Sequence, residues 1–374
     1  MKLLYVTHGG GSGKRGLPSG ATRVAVDLAT GHSSGFEPVV VFLGQDGGGT
    51  IGAVEALDAH GIRHHAVEWR GSNNLRAMIS AQVRLYRIIR AERPEVVCLN
   101  AVPATYLGWL PSRMARVPLV LDAVHLVPSD GNERAMARFL RLADHLAFVS
   151  PGLQEYYTKL GYGRSGSVIQ NGIQLQRFRD LTGRGLRTAP FCISMVARLQ
   201  PPHKDPVTLL RAFALLRERG YPVRLRFVGD GPGRSEVEAL AAELGVAKEV
   251  EITGYTDRVA ELLNETDIFA LATRWEGQPL SVMEAMAVGL PIVASNVIGV
   301  TDVVEDRKTG LMVPPEDPEA MAGAIEWLLD HREEALAMGE NARIKAEREY
   351  DATRMAKQYE ELILRLRANR AHRA

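Results

Sequence analysis

Short apolar runs alternate with longer segments of helical periodicity along the whole chain. In the first half, apolar runs that predict strands lie at residues 2–7, 39–43, 63–67, 96–100, 117–121 and 145–149. In the second half, the corresponding runs lie at residues 191–196, 224–228, 250–253, 267–271 and 291–294. Strands that are apolar on both faces and alternate with helices are typical of parallel sheets with helices on both sides. The pattern therefore predicts an α/β protein with two sheets.

Chain length and one linker-like segment predict two domains. A chain of 374 residues is longer than a single core usually supports. A segment rich in Gly and Arg, residues 183–190, lies between the two sets of predicted strands. We therefore expect an N-terminal domain over residues 1–182 and a C-terminal domain over residues 183–350.

Charge and cysteine content narrow the class of protein. The formal net charge of +1 gives no overall attraction to nucleic acid or to a membrane. Cys98 and Cys192 lie in apolar runs without a CxxC motif, which predicts buried free thiols in a reducing compartment. No apolar run reaches the roughly 18 residues of a membrane span, and the apolar start KLLYV is too short for a signal peptide. A cytoplasmic protein that does not bind nucleic acid is predicted.

The predicted helix at residues 74–92 carries a basic face. Its cations are Arg76, Arg84, Arg87 and Arg90, and they stand beside apolar residues. The favoured interpretation is an ordinary helix that covers the sheet and exposes its basic face to solvent. The alternative is weak peripheral contact with the inner face of a membrane, as amphipathic basic helices make.

The stretch EGQPLSVME, residues 276–284, follows a predicted strand and opens a helix. Pro279 lies near the helix start, where a missing N–H costs little. Ligands of doubly wound α/β domains sit at the carboxyl ends of strands, and free N–H groups at a helix start favour an anion such as a diphosphate. Two carboxylates beside an anion site, Glu276 and Glu284, fit a ligand that also offers sugar hydroxyls.

A second motif places two cations after a strand. Arg198 follows the predicted strand at residues 191–196, and Lys204 lies near the start of the next helix. The planar fork of Arg and the point charge of Lys both suit phosphate oxygens. We expect the two side chains to converge on a diphosphate.

These two segments, in full EGQPLSVMEAMAVGLPIVAS and VARLQPPHKD, resemble the signatures of retaining GT-B glycosyltransferases of glycosyltransferase family 4. The resemblance covers almost the whole chain and is strongest at residues 196–313. It implies two Rossmann-like doubly wound domains facing a cleft, with a C-terminal helix at about residues 351–374 packing back on the N-terminal, acceptor-side domain. It also implies a retaining hexosyltransferase that moves a sugar from a nucleotide-diphosphate sugar, UDP-sugar before others, to an acceptor hydroxyl.

The resemblance also assigns roles to individual residues. The residues assigned to the reacting centre are His125, Arg198, Lys204 and Glu276. The residues assigned to donor binding are Gly20, Gly229, Gln278, Pro279, Leu280 and Glu284. In this assignment His125 lies beside the donor sugar, Glu276 orients its hydroxyls, and Glu284 accepts hydrogen bonds from the ribose.

Three positions depart from the family's usual pattern. Ser19-Gly20 stands where the family has a Gly-Gly pair, so only Gly20 matches the family pattern there. Residues 203–205, His-Lys-Asp, replace the commoner Lys-Gly, and residues 298–302 differ from Gly-Gly-x-Pro-Glu.

No metal or other cofactor is expected. The chain lacks the Asp-x-Asp motif with which GT-A enzymes hold Mg²⁺ or Mn²⁺. The Arg198 and Lys204 cations would stabilise the departing diphosphate in place of a metal.

Other functions stay open. A nucleotide-sugar 2-epimerase shares the fold, and a non-catalytic nucleotide-sugar-binding protein would need the same binding residues. An inverting transferase would need a base, for which His8 is the candidate. A formal Gly-x-Gly-x-x-Gly match at residues 11–16 does not predict a dinucleotide site, because Pro18 and Ser19 separate it from the helix. The acceptor stays open among lipids, polysaccharides, small metabolites and antibiotic scaffolds, and the first loop, residues 9–19, is expected to face it.

Overall fold

The computed structural model of the chain describes residues 1–9, 19–44, 51–69, 74–125, 140–161, 166–178, 181 and 189–371. Two predictions lie mostly outside these residues. They are the glycine-rich first loop at residues 9–19 and the linker at residues 183–190.

The chain forms two compact units. Unit 1 comprises Met1–Ile173 and Ala352–Ala374, and unit 2 comprises Gln174–Asp351. The division therefore falls earlier than the boundary predicted after residue 182. The C-terminal helix belongs to unit 1 rather than to the unit that precedes it in sequence.

The described strands of unit 1 form a seven-stranded parallel sheet in the order β3-β2-β1-β4-β5-β6-β7. The strands are β1 Lys2–His8, β2 Glu37–Gly44, β3 Arg63–Glu68, β4 Val96–Asn100, β5 Leu119–Val124, β6 His145–Phe148 and β7 Ser167–Val168. The helices described among them are α1 Gly20–Gly31, α2 Ile51–Ala59, α3 Leu75–Glu92, α4 Val102–Met114 and α5 Pro151–Lys159.

The described strands of unit 2 form a six-stranded parallel sheet in the order β10-β9-β8-β11-β12-β13. The strands are β8 Phe191–Val196, β9 Val223–Val228, β10 Val250–Ile252, β11 Ile268–Leu271, β12 Ile292–Ser295 and β13 Leu311–Val313. The helices are α6 Pro206–Glu218, α7 Arg234–Glu243, α8 Val259–Asn264, α9 Leu280–Val288, α10 Pro318–Asp330 and α11 Arg332–Glu349, and α12 Ala352–Ala371 follows in unit 1.

The central strands are buried on both faces, as a parallel sheet between helical layers requires. Every residue of β4, β5 and β11 is buried. On one face of the unit 1 sheet, the side chains of β1 and β4 pack in a core cluster with Leu85 of α3 and Leu107 of α4. The predicted α/β class with two parallel sheets is confirmed.

In each unit the strand order reverses direction once. The reversal lies between β1 and β4 in unit 1 and between β8 and β11 in unit 2. Loops that leave neighbouring strands diverge at such a point and open a crevice at the carboxyl ends of the strands. Functional side chains are therefore expected on the loops after these four strands.

Helix α4 has no counterpart in the sequence prediction. It contains Pro103 in its first turn and Pro111 in its interior. Proline inside a helix removes a backbone hydrogen bond and usually indicates the end of a helix. The sequence pattern therefore did not predict this helix. Packing stabilises it instead, because Ala104, Leu107 and Gly108 are all buried.

The C-terminal helical segment is interrupted at Tyr350 and Asp351. Helix α11 ends at Glu349, and α12 begins at Ala352. Tyr350 between them is fully buried. No described helix combines the length and the apolar character that a membrane span requires.

Candidate functional site

Lys204 and Glu276 meet at the reversal point of the unit 2 sheet. Lys204 lies on the loop that leaves β8, and Glu276 lies on the loop that leaves the neighbouring strand β11. The Lys204 ammonium group donates to Glu276 Oε1 in a close ion pair. Thr273 Oγ1 donates to the same carboxylate oxygen at 3.1 Å. Two loops distant in sequence are thus joined by a charged contact at the carboxyl edge of the sheet.

The Glu276 carboxylate is ionised although it is buried. Only 5% of the residue is exposed. Burial raises the pKa of this carboxyl, but the charge and hydrogen bond of Lys204, together with the nearby His203 imidazole, outweigh it and lower the pKa to about 2. Glu276 therefore carries a fixed negative charge at neutral pH and cannot serve there as a proton donor.

His203 is a member of this cluster that the sequence prediction did not include. Its ring stacks on Trp275, with ring centroids 5.4 Å apart and planes 6° apart. Its Nε2 lies 3.7 Å from Glu276 Oε2. The only signal in the sequence was its place beside Lys204, in the segment that departs from the family pattern.

Backbone contacts hold the two loops together. The Arg274 amide donates to the His203 carbonyl oxygen at 3.0 Å, and Thr273 Oγ1 lies 3.0 Å from the same oxygen. Lys204 and Thr273 form an isolated antiparallel bridge. The relative positions of Lys204 and Glu276 are therefore fixed by main chain as well as by charge.

Lys204 lies immediately before the start of α6. Asp205 caps this helix, because its carboxylate accepts hydrogen bonds from Thr208 N at 3.1 Å and from Thr208 Oγ1 at 2.8 Å. Pro206 occupies the first turn, where it needs no N–H partner. The start of a helix favours anions, so Lys204 stands where a phosphate would be stabilised.

Arg198 does not join the Lys204–Glu276 pair. It lies on the loop just after β8, is exposed, and makes no ion pair within the described part of the chain. The predicted convergence of Arg198 and Lys204 on one diphosphate remains a prediction.

Gly229 follows β9 and packs against the loop that carries Arg198. Its φ is +141°, and a Cβ at this position would lie 2.1 Å from the Ala197 carbonyl oxygen. Leu199 N also donates to the Asp230 carbonyl oxygen at 3.0 Å. Glycine is required because the two loops meet main chain against main chain and leave no room for a Cβ.

Gly299 supports the loop that carries Glu276. A Cβ on Gly299 would lie 2.7 Å from the Glu276 carbonyl oxygen and 2.5 Å from that of Gly277. Its φ of +83° also favours glycine. The segment at residues 298–302 departs from the family pattern, but Gly299 within it packs against the main chain of the Glu276 loop.

The other predicted donor residues of unit 2 cluster at helix α9. Pro279 is its N-cap residue and Leu280 its first residue. Gln278 and Glu284 are 5% and 1% exposed, respectively. The structure thus places Gln278, Pro279 and Leu280 at a helix N-terminus and buries Glu284 in the following turn.

Two predicted site residues belong to unit 1. Gly20 is the first residue of α1, and Ser19 caps this helix by accepting from Thr22 N at 3.2 Å. His125 follows β5, and its Nε2 lies 2.8 Å from Asn100 Oδ1. Burial lowers the pKa of His125 to about 4, so the imidazole is neutral at pH 7.

Two family models match the chain, one in each half. The model described as Glycosyltransferase Family 4 matches residues 18–177. The model described as Glycosyl transferases group 1 matches residues 180–345.

Known proteins with assigned activities are similar over most of their length. The chain is 30% identical over 288 residues to the GDP-mannose-dependent alpha-(1-6)-phosphatidylinositol monomannoside mannosyltransferase of Mycolicibacterium smegmatis. This alignment covers 68% of this chain and 72% of the relative. The chain is also 24% identical over 272 residues to the UDP-Gal:alpha-D-GlcNAc-diphosphoundecaprenol alpha-1,3-galactosyltransferase of Escherichia coli. This second alignment covers 67% of this chain and 70% of the relative.

A solved structure shares the fold over nearly the full chain. HepE of Anabaena, determined in complex with UDP and glucose, matches with a TM-score of 0.81 at 19% sequence identity. The match covers 97% of this chain and 99% of HepE.

Proposed function

We propose, from the premise that the chain belongs to the glycosyl transferases of group 1 and has the GT-B fold, that it transfers a sugar from a nucleotide-diphosphate sugar to an acceptor hydroxyl with retention of configuration. The observation that carries the proposal is the contact between Lys204 and Glu276 at the reversal point of the unit 2 sheet. A cation for the leaving diphosphate and an anion for the sugar hydroxyls stand side by side there.

Lys204 would stabilise the charge that develops on the departing diphosphate. Its ammonium group has three N–H donors, and the contact with Glu276 occupies one direction. The remaining donors, with the amides at the starts of α6 and α9, suit phosphate oxygens. Arg198, exposed on the same loop after β8, would supply a second cation once a donor is bound.

Glu276 would orient the donor sugar rather than attack it. Its Oε1 is already held by Lys204 and Thr273, and its Oε2 faces His203. A carboxylate tied in this way has little freedom to form a covalent bond, but its remaining lone pairs can accept hydrogen bonds from hydroxyls. The acceptor hydroxyl would then attack from the face that the diphosphate leaves, which retains the configuration.

The donor is proposed to be a UDP-sugar, with Glu284 accepting hydrogen bonds from the ribose. HepE, whose fold this chain shares, was determined with UDP and glucose. The E. coli relative uses UDP-Gal by name, whereas the M. smegmatis relative is named for GDP-mannose. Titration with UDP and GDP by calorimetry tests the choice, and tighter binding of GDP would overturn it.

The acceptor is proposed to be a lipid-linked molecule reached at a membrane surface. Both relatives act by name on lipid-linked acceptors, a diphosphoundecaprenol and a phosphatidylinositol mannoside. Helix α3 exposes an apolar stripe at Leu75, Ile79 and Val83, which are 61%, 50% and 44% exposed.

The charge of α3 fits an anionic lipid surface. The cations of this helix that stand exposed are Arg76, Arg84, Arg87 and Arg90. The sole acidic residue within Leu75–Glu92 is Glu92, which is only 8% exposed. Apolar side chains flanked by cations suit the headgroup region of anionic membranes.

Vesicle binding tests the proposed lipid surface. The full chain is expected to co-sediment with vesicles of phosphatidylglycerol and phosphatidylcholine and less with phosphatidylcholine alone. Ile79→Glu with Val83→Glu should abolish the binding, while Ile344→Glu, an exposed apolar residue of α11, should leave it unchanged. Equal sedimentation of the double variant would refute the α3 surface.

The transfer itself is tested with a panel of nucleotide sugars and acceptors followed by mass spectrometry. Transfer, or slow donor hydrolysis, is the expected result. An uncleaved donor of unchanged mass whose sugar has inverted at C2, as NMR would detect, would indicate the 2-epimerase instead, and binding without turnover would indicate a non-catalytic protein. Lys204→Ala should lower turnover roughly a hundredfold or more, whereas Lys248→Ala, at an exposed lysine of the same unit, should not.

A further inference from the structure

Asn100 contacts His125 at the carboxyl edge of the unit 1 sheet. Asn100 is the last residue of β4, and its main chain pairs with Ala123 of β5. His125 follows the end of β5, and its Nε2 lies 2.8 Å from Asn100 Oδ1. The contact stands beside the point between β1 and β4 where the strand order reverses.

Asn100 is unusually placed for a polar residue. It is 1% exposed, and among the described residues its Nδ2 group has no hydrogen-bond partner. Thr7, its registered neighbour on β1, has a buried Oγ1 that also lacks a partner there. Buried polar groups destabilise a fold when they are not fully hydrogen-bonded, so packing alone does not account for an amide at this position.

The backbone next to Asn100 is strained. Ala101 has a φ of +87°, in the region that favours glycine. Helix α4 begins at the next residue without a side-chain cap. Non-glycine residues in such conformations concentrate at functional sites, where the surrounding structure holds a side chain in a required position.

The contact determines where the imidazole carries its hydrogen. Burial lowers the pKa of His125 to about 4, so the ring is neutral at pH 7 and has a single N–H. With the amide oxygen facing Nε2, the hydrogen must lie on Nε2 and be donated to Asn100 Oδ1. The Nδ1 atom then carries a lone pair and acts as an acceptor.

We infer that Asn100 is a positioning residue that holds His125 as the Nε2–H tautomer, so that Nδ1 accepts a hydrogen bond from a hydroxyl of the donor sugar. The inference rests on the proposed function, because the family resemblance behind that function assigns His125 a place beside the donor sugar. Asn100 itself touches neither the nucleotide nor the reacting atoms in this scheme.

The tautomer is measured by NMR of the full chain labelled with ¹⁵N-histidine, without any ligand. The His125 resonances are identified by their loss in His125→Gln. The expected spectrum shows a protonated Nε2 and an unprotonated Nδ1 at pH 7. A protonated Nδ1 in the wild-type protein would overturn the inference, whether or not any donor supports transfer.

Variants of Asn100 separate positioning from packing. Asn100→Ala should give a mixture of tautomers and lower kcat about tenfold to a hundredfold. The affinity for UDP should stay unchanged, because UDP lacks the transferred sugar that His125 is proposed to contact. Asn100→Asp keeps an acceptor oxygen and should keep the Nε2–H tautomer. Ser167→Ala, which removes the partner of His145 Nε2 at 3.0 Å, is the control and should change neither property.

Two results would contradict the role of Asn100. One is an Asn100→Ala protein with an unchanged tautomer and unchanged kcat. The other is an equal loss of UDP affinity and kcat, which would indicate general damage to the fold. If no donor supports transfer, the proposed function fails, but the wild-type spectrum still decides whether Asn100 sets the tautomer.

Discussion

Lys204 on the loop after β8 is ion-paired with Glu276 on the loop after β11. Glu276 is buried and Lys204 is partly buried, so the carboxylate depends on the lysine, because an unpaired charge inside a protein is strongly disfavoured. The pKa of Glu276 shows this dependence, because it is lowered to about 2 although burial alone would raise it. The proposed donor site therefore uses a lysine that already has a partner.

The first prediction concerns the stability of this pair. Lys204→Met should lower the free energy of unfolding at pH 7 by about 3–5 kcal/mol, since Glu276 stays buried without its cation. Glu276→Gln in the same chain should restore part of the loss. Urea unfolding of the two single variants and the double variant measures the coupling energy between the two side chains. If the changes in the free energy of unfolding simply add, Lys204 and Glu276 are not energetically coupled.

The sign of the pH dependence follows from the lowered pKa of Glu276. The folded carboxyl titrates near pH 2, below its ordinary value of 4.5, so its contribution to stability is present above 4.5 and lost as pH falls toward 2. Glu276→Gln should therefore lose less stability than the wild-type protein between these pH values.

The second prediction concerns Glu284 and the nucleotide. Glu284→Ala should weaken UDP binding by about 1–3 kcal/mol, because a buried hydrogen bond to the ribose is lost. Calorimetry with UDP measures it. Glu334→Ala, at an exposed glutamate of α11, is the control and should bind as the wild-type protein does. A folded Glu284→Ala protein with unchanged affinity would reject the ribose assignment.

The third prediction concerns metal ions. Turnover should persist in EDTA, because Lys204 and Arg198 are proposed to stabilise the diphosphate charge. The assay compares initial rates with EDTA, with Mg²⁺ and with Mn²⁺. Loss of all turnover on chelation, restored by either ion, would contradict the proposed role of the two cations.

The fourth prediction concerns Asp122, a buried carboxyl of β5. Burial raises its pKa to about 8, against the effect of a hydrogen bond with Thr105. The folded protein thus keeps a proton that the unfolded chain releases near pH 4, so this group lowers stability as pH rises from about 4 to 8. Asp122→Asn should raise the free energy of unfolding by about 1–3 kcal/mol at pH 8 and by less at pH 5.

Urea unfolding at pH 5 and pH 8 checks this prediction. Glu55→Gln, at an exposed position of the same unit with no ion pair among the described residues, is the control and should leave the pH dependence unchanged between pH 5 and pH 8. Equal effects of Asp122→Asn at both pH values would show that the carboxyl is not protonated in the folded protein.

The family, the fold class and the pairing of strands with helices could be predicted from sequence. Apolar runs buried on both faces dictate parallel strands, and the motifs around Lys204 and Glu276 follow such strands directly. Family membership and the α/β fold are accordingly confirmed. Helix α4 was missed because Pro111 lies inside it, and its stability depends on packing that no local pattern reports.

The details of the site were less predictable. The stack of His203 on Trp275 depends on how two loops fold against each other, which sequence spacing does not specify. Asn100 offered a readable signal, since a polar residue ends an apolar strand next to the strand that leads to His125. That signal gains meaning only from the order of the strands, which places β4 beside β5.

Retention of configuration is the central claim, and the anomeric configuration of the product tests it most directly. The product formed from an α-linked donor sugar is isolated, and its anomeric coupling is measured by NMR. Retention predicts an α-linked product, because Glu276 orients the sugar and the acceptor attacks from the face of the departing diphosphate. A β-linked product would contradict the claim and would make His8, at the end of β1, the candidate base of an inverting reaction.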